Sequence, residues 1–462
     1  MKPPLSTTPA KIVFALAFVS SGFLSACAAS PSLRAARRGD LVALRASIER
    51  QRACNALDSA EVKELARETA SRELSRATST EVMARIDEAR ACSRALSDPL
   101  GTLARTQGDV GAAATLALLE ATPGDKDGER WLRRYGASPN ALWRAVAARA
   151  AVGEELGPAR RAFYTDADER VRLAALRAAL EKGDHTDRRP LLEAARLDPN
   201  PLARALASRA LGSIADGEAV LALRDIYWQA DEGLRQSIVD AWGQKEAAAA
   251  GGIRELIRVA ETERGTPPIE AGWVLLRFTL VEDAAPIGTR ALLRAMGEGL
   301  SRDRVLAIMD APLTDPRVVD ALRRAAATSD PAVKTAALAR LAESPAGAAA
   351  SRCGTPEGVE HPKGWDFPGS TRATREEALR GLWAYAKAGS KEALYALVRA
   401  GDRSATVGVA RDLTSPQAET RLAAARALIF AGELARAADL LADRDPHVRM
   451  TAACAMLNFR DD

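Results

Sequence analysis

The chain has 462 residues, of which 47% are hydrophobic but only 4% aromatic. Charged residues make up 27% with both signs interspersed, which excludes general disorder, and a formal net charge of +4 is too small to mark a nucleic-acid-binding surface. At this length an Ala/Leu-rich composition suits a thin core repeated in one dimension better than one deep globular core.

In chain order, Lys2 and Lys11 form a basic stretch, and Ile12–Phe23 follows as an apolar run too short to be a comfortable membrane span. Leu24, Ser25, Ala26 and Cys27 come next. Small residues ahead of a Cys at the end of an apolar run resemble the lipobox of a bacterial lipoprotein signal. The resemblance implies cleavage before Cys27, diacylation of its sulfur and acylation of the new amino group; several chains anchor far more firmly than one. The other reading is an ordinary secretory signal cut near Ala26. In either case residues 1–26 are expected to be removed, taking two lysines and no acid with them, and the remainder to leave the cytoplasm. Ala28 stands where the lipoprotein family uses Asp for inner-membrane retention, so the resemblance implies the outer membrane, facing the periplasm. No later stretch is apolar enough to span a membrane.

Residues 27–33 are then a lipidated Cys and a short tether, and 34–110 a helical N-terminal cap. Helices are predicted over Ala35–Arg50, Ser59–Arg76 and Ser79–Leu96, with Asp58 and Ser79 as caps. Cys54 and Cys92 flank this region. With Cys27 consumed by lipid, four cysteines remain in an oxidising compartment, an even number. A Cys54–Cys92 staple is geometrically open; two buried free thiols are the alternative. His185, His361 and His447 are scattered and no Cys-x-x-Cys occurs, so neither a metal nor a cofactor is expected.

Residues 111–343 begin with a helical run over Val110–Ala121 and a polar turn at Thr122–Arg130, and then become periodic. Asp166–Leu180 reads as an acidic turn, whose Asp166 or Asp168 can cap the helix that follows, then Val171-Arg172 and an Ala/Leu helix. Val171, Ala174, Ala175, Ala178 and Ala179 fall at i, i+3, i+4, i+7 and i+8, one helical face. The basic residue of the phrase recurs at Arg144, Arg172, Arg204 and Arg235, then at Lys334, Arg421 and Arg449, a spacing of about 30 residues per unit. Asp168, Asn200, Asp231, Asp330 and Asp445 lie just upstream. Trp228, Trp242 and Trp273 fall within the array and are read as core fillers in preference to groove-lining residues.

Leu197–Asp216 and Leu441–Leu457 resemble HEAT repeats of the short bacterial, PBS-lyase-like type, and the likeness covers roughly residues 137–462. It implies an all-α fold, a right-handed α-solenoid of helix pairs. It also implies an Asp/Arg ladder between neighbouring repeats, built from Asp168, Asp231, Asp330 and Asp445 with Arg172, Arg204, Arg235, Arg421 and Arg449. Asn200 and Lys334 depart from the family pattern.

Residues 344–370 break the rhythm. Pro345, Pro356, Pro362, Pro368 and several glycines exclude a continuous helix and mark an insertion before the C-terminal repeats of 371–462. Trp365 and Phe367 stand in this polar loop as a candidate partner-binding pair, or as pins that hold it to the solenoid. Cys353 also lies there. Cys454 occupies the place of Arg149, Arg177, Arg209 and Arg426, a face read as solvent-tolerant, and a Cys353–Cys454 bridge would fold the loop over the last repeats. There is no Gly-x-Ser-x-Gly, no phosphate-binding loop and no His-Glu-x-x-His, so no catalytic residue is assigned. The expectation is a lipid-anchored envelope scaffold that binds another envelope protein on its concave face, not nucleic acid. The alternative is an envelope enzyme or small-ligand carrier with its site in the groove.

Overall fold

The computed structural model describes residues 30–78, 80–122, 127–214, 217–343 and 372–460. Among them every regular element is a helix, and the fold is an α-solenoid of stacked helix pairs. The second helices of successive pairs, Ala141–Ala150, Glu169–Lys182, Pro201–Gly212 and Glu232–Trp242, pack neighbour against neighbour in one layer. The first helices form the other layer.

Two sequence features build a typical second helix. The turn residue caps it: Asp168 accepts from the Arg170 N–H, Asn200 from Leu202 and Ala203, Asp231 from Leu234, Asp330 from Ala332 and Val333, and Asp445 from His447. Each satisfies a donor that the helix leaves free, an effect of about 1 kcal/mol. The predicted apolar stripe then buries. Val171, Ala174, Ala175, Ala178 and Ala179 are all at most 2% exposed, and Leu176 joins them. Small side chains bring the axes close. Gly212 is the extreme case, since a Cβ there would meet the Ala241 carbonyl oxygen at 2.4 Å.

The N-terminal region differs from expectation. The predicted helix Ala35–Arg50 is two helices, Pro31–Arg38 and Leu41–Ala53. Gly39 breaks it with φ +69°, in the left-handed region that glycine tolerates, and Asp40 caps the second helix through the Ala43 N–H. Asp58 caps Ser59–Arg76 as predicted; the other predicted cap, Ser79, lies outside the described residues.

The larger correction concerns the cap itself. The N-terminal helices were expected to cover one end of the stack, but they join its two ends. The last helix, Pro446–Leu457, packs against Ser59–Arg76 and Val82–Ala89; Val82–Ala89 packs against Gly108–Ala121, and that against Ala141–Ala150. Ser59–Arg76 runs antiparallel to the last helix, because Lys63 sits over the ring of Phe459 while Glu73 meets Arg449. It therefore stands where the first helix of a further repeat would, with Val82–Ala89 as the second. Leu65, Leu74 and Ile86 share one buried cluster with Val448, Met450 and Met456. The stack has no free end at this point, because it closes on itself.

Candidate functional site

The concave side is identified by a long-range ion pair. Arg177 of Glu169–Lys182 donates to Glu120 of Gly108–Ala121 at 2.8 Å, although Ala141–Ala150 lies between those helices. Side chains two helices apart meet only where the layer curves inward, so the second helices form the inner wall. Arg90 binds both oxygens of the same carboxylate, at 3.0 and 3.1 Å.

Further round the wall the character becomes acidic and aromatic. Glu232, Gln236 and Asp240 follow each other at four-residue spacing on the open face of Glu232–Trp242. Glu270 and Trp273 share the corresponding face of the next inner helix, Thr266–Leu275, and Asp310 ends the one after, Ser301–Asp310. Burial pushes the Glu270 carboxyl up to about 7, and Asp240, Glu232 and Asp310 add to the rise, while a hydrogen bond with Gln236 opposes it. Burial also raises Asp310, with Arg340 opposing. Glu270 can thus be protonated or ionised near neutral pH, and donate or accept a hydrogen bond accordingly. Beside it Trp273 is 45% exposed, with the Arg277 guanidinium 4.6 Å from the ring centroid.

The tryptophans divide in a way the sequence reading did not foresee. Trp242 is fully buried and its indole N–H donates to the Val220 carbonyl at 3.3 Å. Trp228 and Trp273, expected in the core, are about half exposed, and each has an arginine over one face. Trp228 follows the end of Gly217–Tyr227 rather than sitting on its buried stripe, and Trp273 lies on the open face of its helix.

The ladder exists, but with a different set of acids. Arg144 clasps Asp166 at 2.9 and 2.9 Å, Arg172 clasps Asp198 at 2.7 and 3.1 Å, and Arg421 clasps Asp443 at 2.7 and 3.0 Å. Each of these arginines also donates to backbone carbonyls of its own turn. The acid in the rung lies two residues before the helix cap. Asp168 and Asp445, expected in the ladder, act as caps, and Asp168 pairs with Arg170 of its own helix. Asp231 does both jobs, accepting from Arg204 at 3.2 Å. Asp330 receives Ser301 instead of an arginine, and Arg235 turns to the Tyr227 carbonyl and ring. Arg449 makes the final rung with Glu73, again bidentate at 2.9 and 2.9 Å.

The cysteines also pair differently. Cys92 bonds Cys454 with 5.1 Å between Cα atoms, and Cys54, expected opposite Cys92, is free and exposed. Cys454 is 3% exposed instead of solvent-facing, because the N-terminal helices cover the face that Arg209 and Arg426 leave open. Cys27, Cys353, Trp365 and Phe367 lie outside the described residues. Among the described residues no group of three or more His, Cys, Asp or Glu is placed to hold a metal, and no helix is long and apolar enough to cross a membrane.

A separate groove of about 580 Å³ lies between Pro316–Ala326, Pro331–Ala342 and Arg372–Lys387. Leu338, Leu341, Ala378, Gly381 and Ala384 give it an apolar floor, and Lys334, 5.4 Å from the Tyr385 ring centroid, sits at its edge.

No protein-family model matches the sequence, and no curated protein matches it. Among solved structures, Kap121p bound to Pho4p aligns with 81% of this chain and 46% of its own, at 12% identity and a TM-score of 0.32. Kap121p bound to Nup53p aligns with 88% of this chain and 48% of its own, at 12% identity and 0.31. An engineered protein aligns with 87% of this chain and 99% of its own, at 18% identity and 0.26. The chain thus spans about half the length of the Kap121p chains, and the fold assignment rests on its own helix packing.

Proposed function

We propose that this protein is a binding scaffold, acting without catalysis, whose concave wall receives another protein of the cell envelope while a lipid on Cys27 holds it at the membrane, the outer membrane facing the periplasm. The observation that carries the reading is the pairing of exposed Trp273 with the half-buried Glu270 on the inner wall. A half-exposed indole supplies rigid apolar contact area, and a carboxyl that titrates near neutrality supplies an adjustable polar contact. Neighbouring Glu232 and Asp240 favour a partner segment with basic side chains. Crosslinking in intact cells followed by mass spectrometry tests it. Recovery of a partner with the native chain and its loss with Trp273→Ala supports the reading; equal recovery removes the inner wall from it. Labelling with a palmitate analogue in native and Cys27→Ser chains tests the anchor separately.

The groove floored by Leu338 and Ala378 favours a second reading, carriage of a small apolar ligand, since its volume and floor match such sites. Native mass spectrometry of protein purified without detergent would reveal the bound mass, and Gly381→Leu should abolish it.

A further inference from the structure

We propose that the junction between Pro446–Leu457 and the N-terminal helices is a redox clasp: the Cys92–Cys454 bond keeps the circuit shut, and reduction by a dithiol lets the last repeat part from Ser59–Arg76. The inference stands apart from any partner on the inner wall.

Chain connectivity makes this junction unlike the interfaces between successive repeats. Those join helices that follow one another along the chain, so a parted pair stays tethered by a short turn. The junction joins residues 362 positions apart. Without the disulfide it is held by non-covalent contacts alone, many of them polar. Arg449 grips Glu73, His447 shares a 2.7 Å hydrogen bond with Glu88, Asn458 donates to the Ala91 carbonyl at 2.7 Å, and Arg52 meets Asp439 at 2.8 Å. In a stacked array each repeat contacts only its neighbours, so opening this interface leaves the others intact. The disulfide is thus placed where one covalent bond decides between a closed circuit and an open arc.

The chemistry balances as thiol–disulfide exchange. A thiolate of the dithiol attacks one cysteine sulfur and the S–S bond breaks. The departing cysteine thiolate takes up a proton, and the second thiol of the reductant resolves the mixed disulfide. Cys92 and Cys454 gain two electrons and two protons, and the reductant ends as a disulfide. Both cysteines are 3% exposed, so attack waits on transient parting of the junction. Exposed Cys54 reacts independently and serves as an internal control.

The test uses the full chain, alkylation with mass spectrometry, and amide hydrogen exchange with and without dithiothreitol. Without reductant, Cys54 is expected to alkylate while Cys92 and Cys454 do not. After reduction both alkylate, and exchange in residues 446–457 and 59–76 accelerates at least tenfold, while residues 201–212 are unchanged. Cys92→Ser with Cys454→Ser should give the reduced pattern without reductant. Alkylation of Cys92 or Cys454 before reduction overturns the proposal. So does an unchanged exchange rate after reduction, an equal acceleration in all helices, or a double variant that exchanges like the oxidised native chain.

Discussion

The rung between Arg421 and Asp443 and the rung between Arg449 and Glu73 look almost alike. Both are bidentate, both are under 10% exposed, and in both the arginine also donates to a carbonyl six residues back. They differ in what supplies the acid. Asp443 comes from the turn of the next repeat along the chain, whereas Glu73 comes from a helix at the other end of it. The N-terminal helices therefore present the surface that the array's second helices require of a neighbour. The non-covalent part of the closure thus extends the repeat rule, and the Cys92–Cys454 bond adds a covalent tie that the Arg421–Asp443 rung lacks.

Breaking the covalent part of the junction should have the largest effect. For a loop of 362 residues the chain-entropy relation gives about 6 kcal/mol of stability, as an upper figure. Cys92→Ser with Cys454→Ser should lower the melting temperature, and the native chain should fall to meet it in reductant. Next come the rungs themselves. Glu73→Ala and Asp443→Ala each leave a buried guanidinium without its partner, and each should cost about 3–5 kcal/mol in urea titrations. If Glu73→Ala costs under about 1 kcal/mol, the two rungs are not equivalent. Asp231→Ala loses a cap and a more exposed ion pair, and should cost only about 1–2 kcal/mol.

The smallest effects are in pH dependence, where the ladder and the inner wall should respond with opposite sign. Arg144 holds Asp166 below the ordinary 3.8. A depressed carboxyl contributes stability above the unfolded value, and that stability is lost as pH falls through the folded one. Asp166→Asn should therefore flatten the acid limb below about pH 4. Glu270 is raised from 4.5 to about 7, so its contribution is full below 4.5 and declines as pH rises toward 7. Glu270→Gln should remove that decline and stabilise the chain at pH 8 by about 1 kcal/mol, read from melts across pH 4 to 8.

Much of the array was legible because its signals are local. The stripe of Val171, Ala174, Ala175, Ala178 and Ala179 and the caps at Asp58 and Asp168 need only a few neighbouring residues. The ladder was half legible. Arginine occurs once per turn at a fixed place, but the turns carry acid doublets such as Asp166/Asp168 and Asp443/Asp445, and the member in the rung is the one that does not cap. The closure was hidden. Nothing in the spacing of Glu73, Cys92, Arg449 and Cys454 says they meet, since periodicity defines neighbours within a stack and is silent about its ends. Glu270 was missed for a related reason: its acidic neighbours come from other helices, and which helical face curves inward depends on the sum of many inter-repeat angles.

The two halves of the junction are complementary surfaces carried by one chain. The same contacts can form head to tail between molecules, and head-to-tail contacts that do not close produce filaments. Closing the circuit is in effect a macrocyclisation, in which the local concentration of one end at the other competes with the bulk concentration of free ends. A chain that cannot close should therefore assemble into oligomers above a threshold concentration, each copy offering its Glu73 face to the Arg449 of the next, and the disulfide keeps those adhesive ends out of circulation.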